Sequence, residues 1–147
     1  MATLEGTVSI DRLPAHRGAL VSLAFFRVDS SEDPPPYGGE PPPDACRDAV
    51  DVCVEEPGTA DIHESPRQWP FAAARTPGHY YVQLRVILYR KHSEKMYAQA
   101  EQFFFRRRSI HVSEEGLAGI TFPVVWPAQP IDELAHYGTV HPSRSRQ

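Results

Sequence analysis

A long stretch of alternating side chains in the middle of the chain restricts the fold more than any other feature. The turn sequence Thr76–Tyr80 leads into it, and the side chains then separate onto two faces with the period of two that a β-strand imposes. One face carries Tyr80, Val82, Leu84, Val86 and Leu88, and the other carries Tyr81, Gln83, Arg85, Ile87 and Tyr89. The charged residues 90–95 then reverse the chain, which predicts a hairpin with the apolar segment Met96–Phe105 at the centre of one sheet.

Shorter segments on both sides of this hairpin predict further strands. Leu4–Asp11 alternates, whereas Ala19–Val28 is apolar on both faces, which predicts a strand that is buried on both sides or one with a bulge near its paired phenylalanines. In Val50–Glu55 the three valines are expected on one face and Cys53 on the other. Further short strands are predicted around Trp69 and Phe71, at Ile110 with Val112, and from Ile120 to Trp126.

These segments together predict an all-β chain. About seven short strands with turns between them and no helical period are typical of a two-sheet antiparallel β-sandwich, of the transthyretin-like or immunoglobulin-like kind. The chain contains 15 prolines, which disfavour long helices because an interior proline removes a hydrogen-bond donor and clashes with the preceding turn.

Many of the prolines fall in residues 29–45, where the alternation stops and the sequence becomes low in complexity. This segment is expected to be an exposed proline-rich loop with polyproline II character. Because strand patterns continue after it, we interpret it as an insertion within a single domain of residues 1–128. Residues 129–147 are expected to form a C-terminal tail that is partly disordered.

Charge and cysteine content limit the compartment and the partners. A formal charge of −4 disfavours a general affinity for nucleic acid, and no stretch is apolar over membrane-spanning length. The first residues contain no basic segment followed by an apolar run, so a cytoplasmic location without membrane association is expected. Cys46 and Cys53 would stay reduced there, although pairing between them or metal binding stays open.

Two short sequences resemble a known superfamily. Gly6-Thr7-Val8 in the first strand and Pro77-Gly78-His79-Tyr80 at the entry to the long strand are similar to the opening "G-x-V" strand and the "P-G-x-Y" strand entry of transthyretin-like or carboxypeptidase-regulatory-like (prealbumin-like) domains. The resemblance covers Leu4 to Trp126. It implies a β-sandwich that serves as a binding, adhesion or accessory module.

Signatures of common enzyme classes are missing from the sequence. It contains no Gly-rich phosphate loop, no Gly-x-Ser-x-Gly elbow and no His-Glu-x-x-His motif. No cofactor or metal is therefore expected. An alternative is a small metal-dependent enzyme, since histidine and cysteine are zinc ligands and the chain offers Cys46, Cys53, His63 with Glu64, His79 and His111.

A second alternative involves the run Arg106-Arg107-Arg108, which directly follows three phenylalanines. Arginines beside aromatic side chains could bind an anion or a nucleic-acid backbone. The simpler interpretation is that the phenylalanines end a buried strand and that the arginines begin a solvated turn.

The leading hypothesis is a non-enzymatic protein-binding or assembly module, with a protein partner or a second copy of the chain. It is motivated by more aromatic residues on strand faces than one core face needs. An edge strand or the proline-rich loop would make the contact. The candidate binding residues are Tyr37, Tyr81, Tyr89 and Tyr97, with Arg106, Arg107 and Arg108.

Overall fold

The computed structural model of the chain describes residues 1–32, 49–92, 95–106 and 108–128, and describes only the backbone at 90–92 and 95–99. Within this part of the chain all regular structure is β-strand and no helix occurs. Most of the proline-rich segment 29–45 and the whole of the tail 129–147 lie outside the described residues. The strands, one more than the approximate number predicted, are β1 (Ala2–Asp11), β2 (Gly18–Val28), β3 (Val50–Glu55), β4 (Arg67–Arg75), β5 (Gly78–His92), β6 (Lys95–Phe105), β7 (Ile110–Val112) and β8 (Leu117–Val125).

The strands form two sheets. One has three strands in the order β4-β1-β8, and the other has five, in the order β3-β2-β5-β6 with β7 paired to the start of β5. The predicted hairpin is confirmed, because β5 and β6 pair antiparallel from Gln83 opposite Phe105 to His92 opposite Lys95. On its other side β5 pairs with β2 along the whole length of β2.

The prediction of an antiparallel arrangement throughout is wrong for one pair. β1 and β8 run parallel, from Leu4 opposite Leu117 to Asp11 opposite Val125. The reason lies in the chain path: β7 belongs to the five-stranded sheet, and the turn Ser113–Gly116 carries the chain across to the first residues of β1. From there β8 can only run in the direction of β1.

Both sheets contribute to one hydrophobic core. Leu4 and Ile10 of β1 are fully buried, as are Leu23 of β2 and Leu84 and Leu88 of β5. The face of each sheet that carries these residues is called its inner face below, and the opposite face is called its outer face. The sheets are thus held together mainly by apolar burial, which stabilises by roughly 25 cal/mol per Å² of surface removed from water.

β2 is buried on both sides, as one of the two alternatives for this segment predicted. Phe25 belongs to the shared core, whereas Ala24 and Phe26 pack with Tyr81 in a second, smaller cluster on the outer face of the five-stranded sheet. The pairing of β2 with β5 shows no irregularity around these residues.

β3 contains an extra residue that changes which way its side chains point. Val21 pairs with Cys53 but the next residue, Ser22, pairs with Asp51, so Val52 is left over as a bulge. Val50, Val52 and Cys53 all pack against the core, whereas Val54 is 64% exposed. The expectation that the three valines share a face opposite Cys53 is therefore wrong, because one inserted residue reverses the alternation beyond it.

Candidate functional site

A polar cluster closes the gap between the two sheets at one end of the core. Arg67, the first residue of β4, donates from Nη1 and Nη2 to the two carboxylate oxygens of Glu55 in β3, at 2.9 and 3.0 Å. The Arg67 guanidinium also lies over the Trp69 ring, 5.0 Å from its centroid. Because a bidentate pair fixes both direction and distance, it holds the two edge strands in one relative position.

A fully buried histidine completes this cluster. His16, on the connection between β1 and β2, donates from Nδ1 to the backbone oxygen of Pro14 at 2.8 Å. Its Nε2 then accepts from Arg67 Nη1 at 3.2 Å, so the hydrogen-bond network fits the neutral ring protonated on Nδ1. Two backbone hydrogen bonds between His16 and Ile62 attach the loop between β3 and β4 to the same place.

The charges in the cluster alter the acidity of its members. The hydrogen bonds from Arg67 hold the pKa of Glu55 below its ordinary value, and the same pairing holds the pKa of Arg67 above its own. Burial, helped by the negative charge of Glu55, raises the pKa of the Cys53 thiol. A thiol with a raised pKa is a poor nucleophile at neutral pH. The arrangement therefore stabilises the fold and does not favour attack by Cys53.

Among the described residues, the metal ligands considered from the sequence do not form one group. Cys53 is half buried on the inner face of β3, while His63 and Glu64 are exposed on the loop between β3 and β4, and Cys46 lies outside the described residues. In the part of the chain that the structure describes, no three histidine, cysteine, aspartate or glutamate side chains are placed to hold one ion. His79 and His111 are neighbours and form a pair of their own.

An open cleft lies beside this cluster, on the outer face of the five-stranded sheet. Its volume is about 240 Å³, and it is lined by Ala19, Leu20, Val54, Glu55, Glu56, Pro57 and Tyr89. Val54 forms its most exposed apolar wall, and Glu56 is exposed at its rim. The cleft adjoins β3, and no other strand among the described residues pairs with the free side of β3. The cleft and this free edge of β3 are called the β3 edge site below.

The tyrosines predicted to bind a partner lie in different environments. Tyr89 lines the cleft and is half buried. Tyr81 is 4% exposed and packs on Ala24 and Phe26, so its ring contributes to folding. Tyr37 and the side chain of Tyr97 lie outside the described residues.

The predicted arginine run is divided by the fold. Arg106 donates from Nη1 to the backbone oxygen of Thr121 at 2.6 Å, and its backbone N–H donates to the backbone oxygen of Val82 at 3.1 Å. It therefore links the end of β6 to β8 in the other sheet. Arg108 is exposed, and Arg107 lies outside the described residues.

Sequence patterns did not indicate Val54, Glu56 or His16 as site residues. Val54 is exposed because of the bulge at Val52, and the residue types in β3 do not predict a bulge. His16 meets Arg67 across 51 residues of sequence, a distance that local periodicity cannot bridge.

The chain matches no protein-family model, no curated protein and no solved structure. Within the described residues, no helix offers the length and apolar character that crossing a membrane requires. The cytoplasmic location stays a prediction. Inference about function therefore rests on the geometry of the chain itself.

Proposed function

We propose that the protein is a non-enzymatic protein-binding module that captures an extended segment of a partner at the β3 edge site. The observation that carries the proposal is Val54, which is 64% exposed beside a cleft, on a strand whose other edge pairs with no strand in the described part of the chain. An added strand gains main-chain hydrogen bonds from such an edge, and its alternate side chains enter pockets on the sheet face. Tyr89 and Leu20 supply the apolar floor for one such side chain.

Two features of the edge strands favour β3. β6, the other edge of the five-stranded sheet, also contains no proline, and β3 is preferred to it because of Val54 and the cleft. Among the described residues, the free edges of the three-stranded sheet belong to β4 and β8, which contain Pro70 and Pro123 respectively. Proline cannot donate a backbone hydrogen bond and is a common means of blocking edge-to-edge pairing. β3 contains no proline, so its backbone donors are complete.

The charge around the cleft indicates the partner. Asp51 and Glu56 are exposed carboxylates on and beside β3, whereas the charge of Glu55 is paired with Arg67 on the inner side. The whole chain carries a formal charge of −4. An extended segment in which an apolar side chain is flanked by lysine or arginine complements this surface, and its charge would speed association at low salt.

A selection from a displayed library of extended peptides tests the proposal. The matched variants are Val54→Arg at the site and Val125→Arg on β8, since Val125 is exposed to a similar extent, at 54%. We expect peptides of alternating apolar and basic character, with affinity lost in Val54→Arg and kept in Val125→Arg. A library that yields no binder, or binders that tolerate Val54→Arg, would contradict the proposal.

We further propose that the two sheets form a β-sandwich of the transthyretin-like or immunoglobulin-like kind. Support comes from the core that both sheets share. The short sequences behind the transthyretin-like resemblance also lie at consistent places, since Gly6-Thr7-Val8 is in β1 and Gly78 begins β5. A Cβ at Gly6 would approach the backbone oxygen of Ile120 to 2.2 Å, so β8 can lie beside β1 only where this residue is glycine.

A further inference from the structure

Two histidines stand side by side on the outer face of the five-stranded sheet, at the far end of β5 from the cleft. β5 and β7 pair antiparallel, with His79 directly opposite His111. Their neighbours along the two strands, Tyr80 and Ile110, are buried in the core, so the histidines project from the other face. Their rings stack with centroids 4.6 Å apart and planes inclined by 22°. His79 is half buried and His111 is exposed.

One nitrogen of this pair has no hydrogen-bond partner among the described residues. The Nδ1 atom of His79 is buried, and no donor or acceptor in the described part of the chain pairs with it. A buried polar atom without a partner destabilises the folded state, and such atoms in folded proteins call for an explanation. Stacking against His111 does not explain this unpaired atom. The face of the His111 ring neither accepts a hydrogen bond from Nδ1 nor donates one to it.

We propose that His79 and His111 form a two-ligand site for a divalent transition-metal ion such as Zn²⁺ or Cu²⁺. Neutral imidazole is the commonest protein ligand for these ions, with bonds of about 2.0–2.1 Å to zinc. Two such bonds span up to about 4 Å. Stacked rings direct their nitrogens side by side, so both imidazoles must turn out of the stack about their side-chain torsions before one nitrogen of each can bind a shared ion. The short separation of the rings, with centroids 4.6 Å apart, keeps such an ion within reach of both.

The site is open on its solvent side. The described residues provide no third histidine, cysteine or carboxylate for the same ion, so water or a group from another molecule fills the remaining positions. Imidazole donors also favour borderline ions over the hard cations Mg²⁺ and Ca²⁺, which prefer oxygen ligands. Divalent ions should accordingly bind in the order Cu²⁺, then Zn²⁺, with no binding of Mg²⁺.

Isothermal titration of the full chain with ZnCl₂, CuCl₂ and MgCl₂ near neutral pH tests the site. The variants are His111→Gln, which changes an exposed side chain, and His79→Gln, with His63→Gln as the control because His63 is exposed on a distant loop. We expect one Zn²⁺ per chain in the wild type and in His63→Gln. Loss of either paired ligand should weaken Zn²⁺ binding at least about tenfold, since even residues that only orient a ligand contribute 10–100-fold.

A thermal scan supplies a second readout. Zn²⁺ should raise the Tm of the wild type and of His63→Gln, because a ligand that binds only the folded state stabilises it, and should leave the Tm of His111→Gln unchanged. Equal Zn²⁺ affinity in the wild type and His111→Gln would overturn the assignment. So would a wild type that binds no Zn²⁺ or Cu²⁺, or a His63→Gln variant that loses binding.

Discussion

β3 and β4 are edge strands of different sheets that meet at the polar end of the core, but only β4 keeps a regular alternation. In β4 the residues that face the core alternate with exposed ones along the whole strand. In β3 the bulge at Val52 interrupts the alternation, and Cys53 turns inward while Val54 turns outward. The same reversal brings Glu55 to the inner side, where it meets Arg67.

The difference shows how one inserted residue can create both a structural contact and a binding surface. Without the bulge, Val54 would share the inner face and Glu55 would point away from β4. β4 itself supplies a positively charged residue at each end, since Arg67 pairs with Glu55 and Arg75 lies 4.8 Å from the centroid of the Phe25 ring.

Removal of Arg67 should have the largest effect. Arg67→Ala leaves Glu55 without its two hydrogen bonds and His16 Nε2 without its donor, inside a partly buried cluster. We expect the free energy of unfolding to fall by about 2–3 kcal/mol, near the lower bound for a broken buried pair, because the side chains retain some exposure. Urea denaturation measures it.

Gln68→Ala is the matched control for this variant. Gln68 is the next residue of β4 and is exposed, so its change should stay within about 0.5 kcal/mol. Equal stability of the two variants would mean that the cluster contributes nothing to holding β3 against β4.

Because of the bulge, Val52 and Val54 of β3 should differ in how much they contribute to the free energy of unfolding. Val52 packs against the core, so Val52→Ala should cost about 1 kcal/mol for the methyl groups withdrawn from it. Val54 is mostly exposed, so Val54→Ala should cost less than about 0.5 kcal/mol. The two changes are chemically identical, and a comparison of their urea midpoints separates them. If Val54→Ala proved the costlier change, β3 would have the regular alternation that its sequence suggests.

Most strands could be predicted because each has its own periodicity. The alternation in β1 and β5 reports local burial, so their positions follow from the sequence, and Val50–Glu55 was predicted with the bounds that β3 has. The parallel pairing of β1 with β8 could not be predicted from the sequence. It depends on the point at which the chain, after leaving β7, reaches the other sheet.

The candidate sites were harder to predict than the strands. Tyr89 and Tyr81 lie on the same strand face, but Tyr89 lines the cleft whereas Tyr81 is buried. Alternation alone does not separate the two, because β2 and β5 have a second apolar cluster on their outer face. The Arg67, Glu55 and His16 cluster joins three distant segments and has no local pattern.

The ion pair between β3 and β4 should make stability depend on pH in one direction. Arg67 holds the pKa of Glu55 below its ordinary value of 4.5, so Glu55 is charged in both the folded and the unfolded chain above that pH, and the contribution is complete there. As the pH falls through the lowered pKa of the folded state, Glu55 takes up a proton and the contribution is lost.

A Glu55→Gln variant isolates this dependence. The wild type should exceed it by about 1 kcal/mol at neutral pH, a value discounted for partial exposure. The difference should shrink as the pH falls below 4.5 and through the lowered pKa of Glu55 in the folded state. Glu5→Gln, which also removes one negative charge but at an exposed position on β1, is the control. Urea denaturation at a series of pH values measures both, and a difference for Glu55→Gln that grew in acid would contradict the sign.

The smallest expected effect concerns the thiol that the bulge turns inward. Burial is the main reason that the pKa of Cys53 is raised above its ordinary value of 9.0, with Glu55 raising it further and Arg67 opposing. In a Cys46→Ser background, Cys53 should therefore react with iodoacetamide severalfold more slowly than free cysteine at pH 8, because less thiolate is present.

Removing either of the two charged neighbours of Cys53 should shift the pH profile of its alkylation, and the two shifts should be opposite in direction. Glu55→Gln removes a negative charge and should lower the apparent pKa, whereas Arg67→Ala removes a positive charge and should raise it. Loosening of the fold cannot mimic this result. It would expose Cys53 and lower its apparent pKa, whereas Arg67→Ala, the more destabilising change, is expected to raise that pKa and slow the reaction. If both variants lowered the apparent pKa, exposure of Cys53 alone would explain the change. The charges of Glu55 and Arg67 would then not act on the thiol at the inner side of β3.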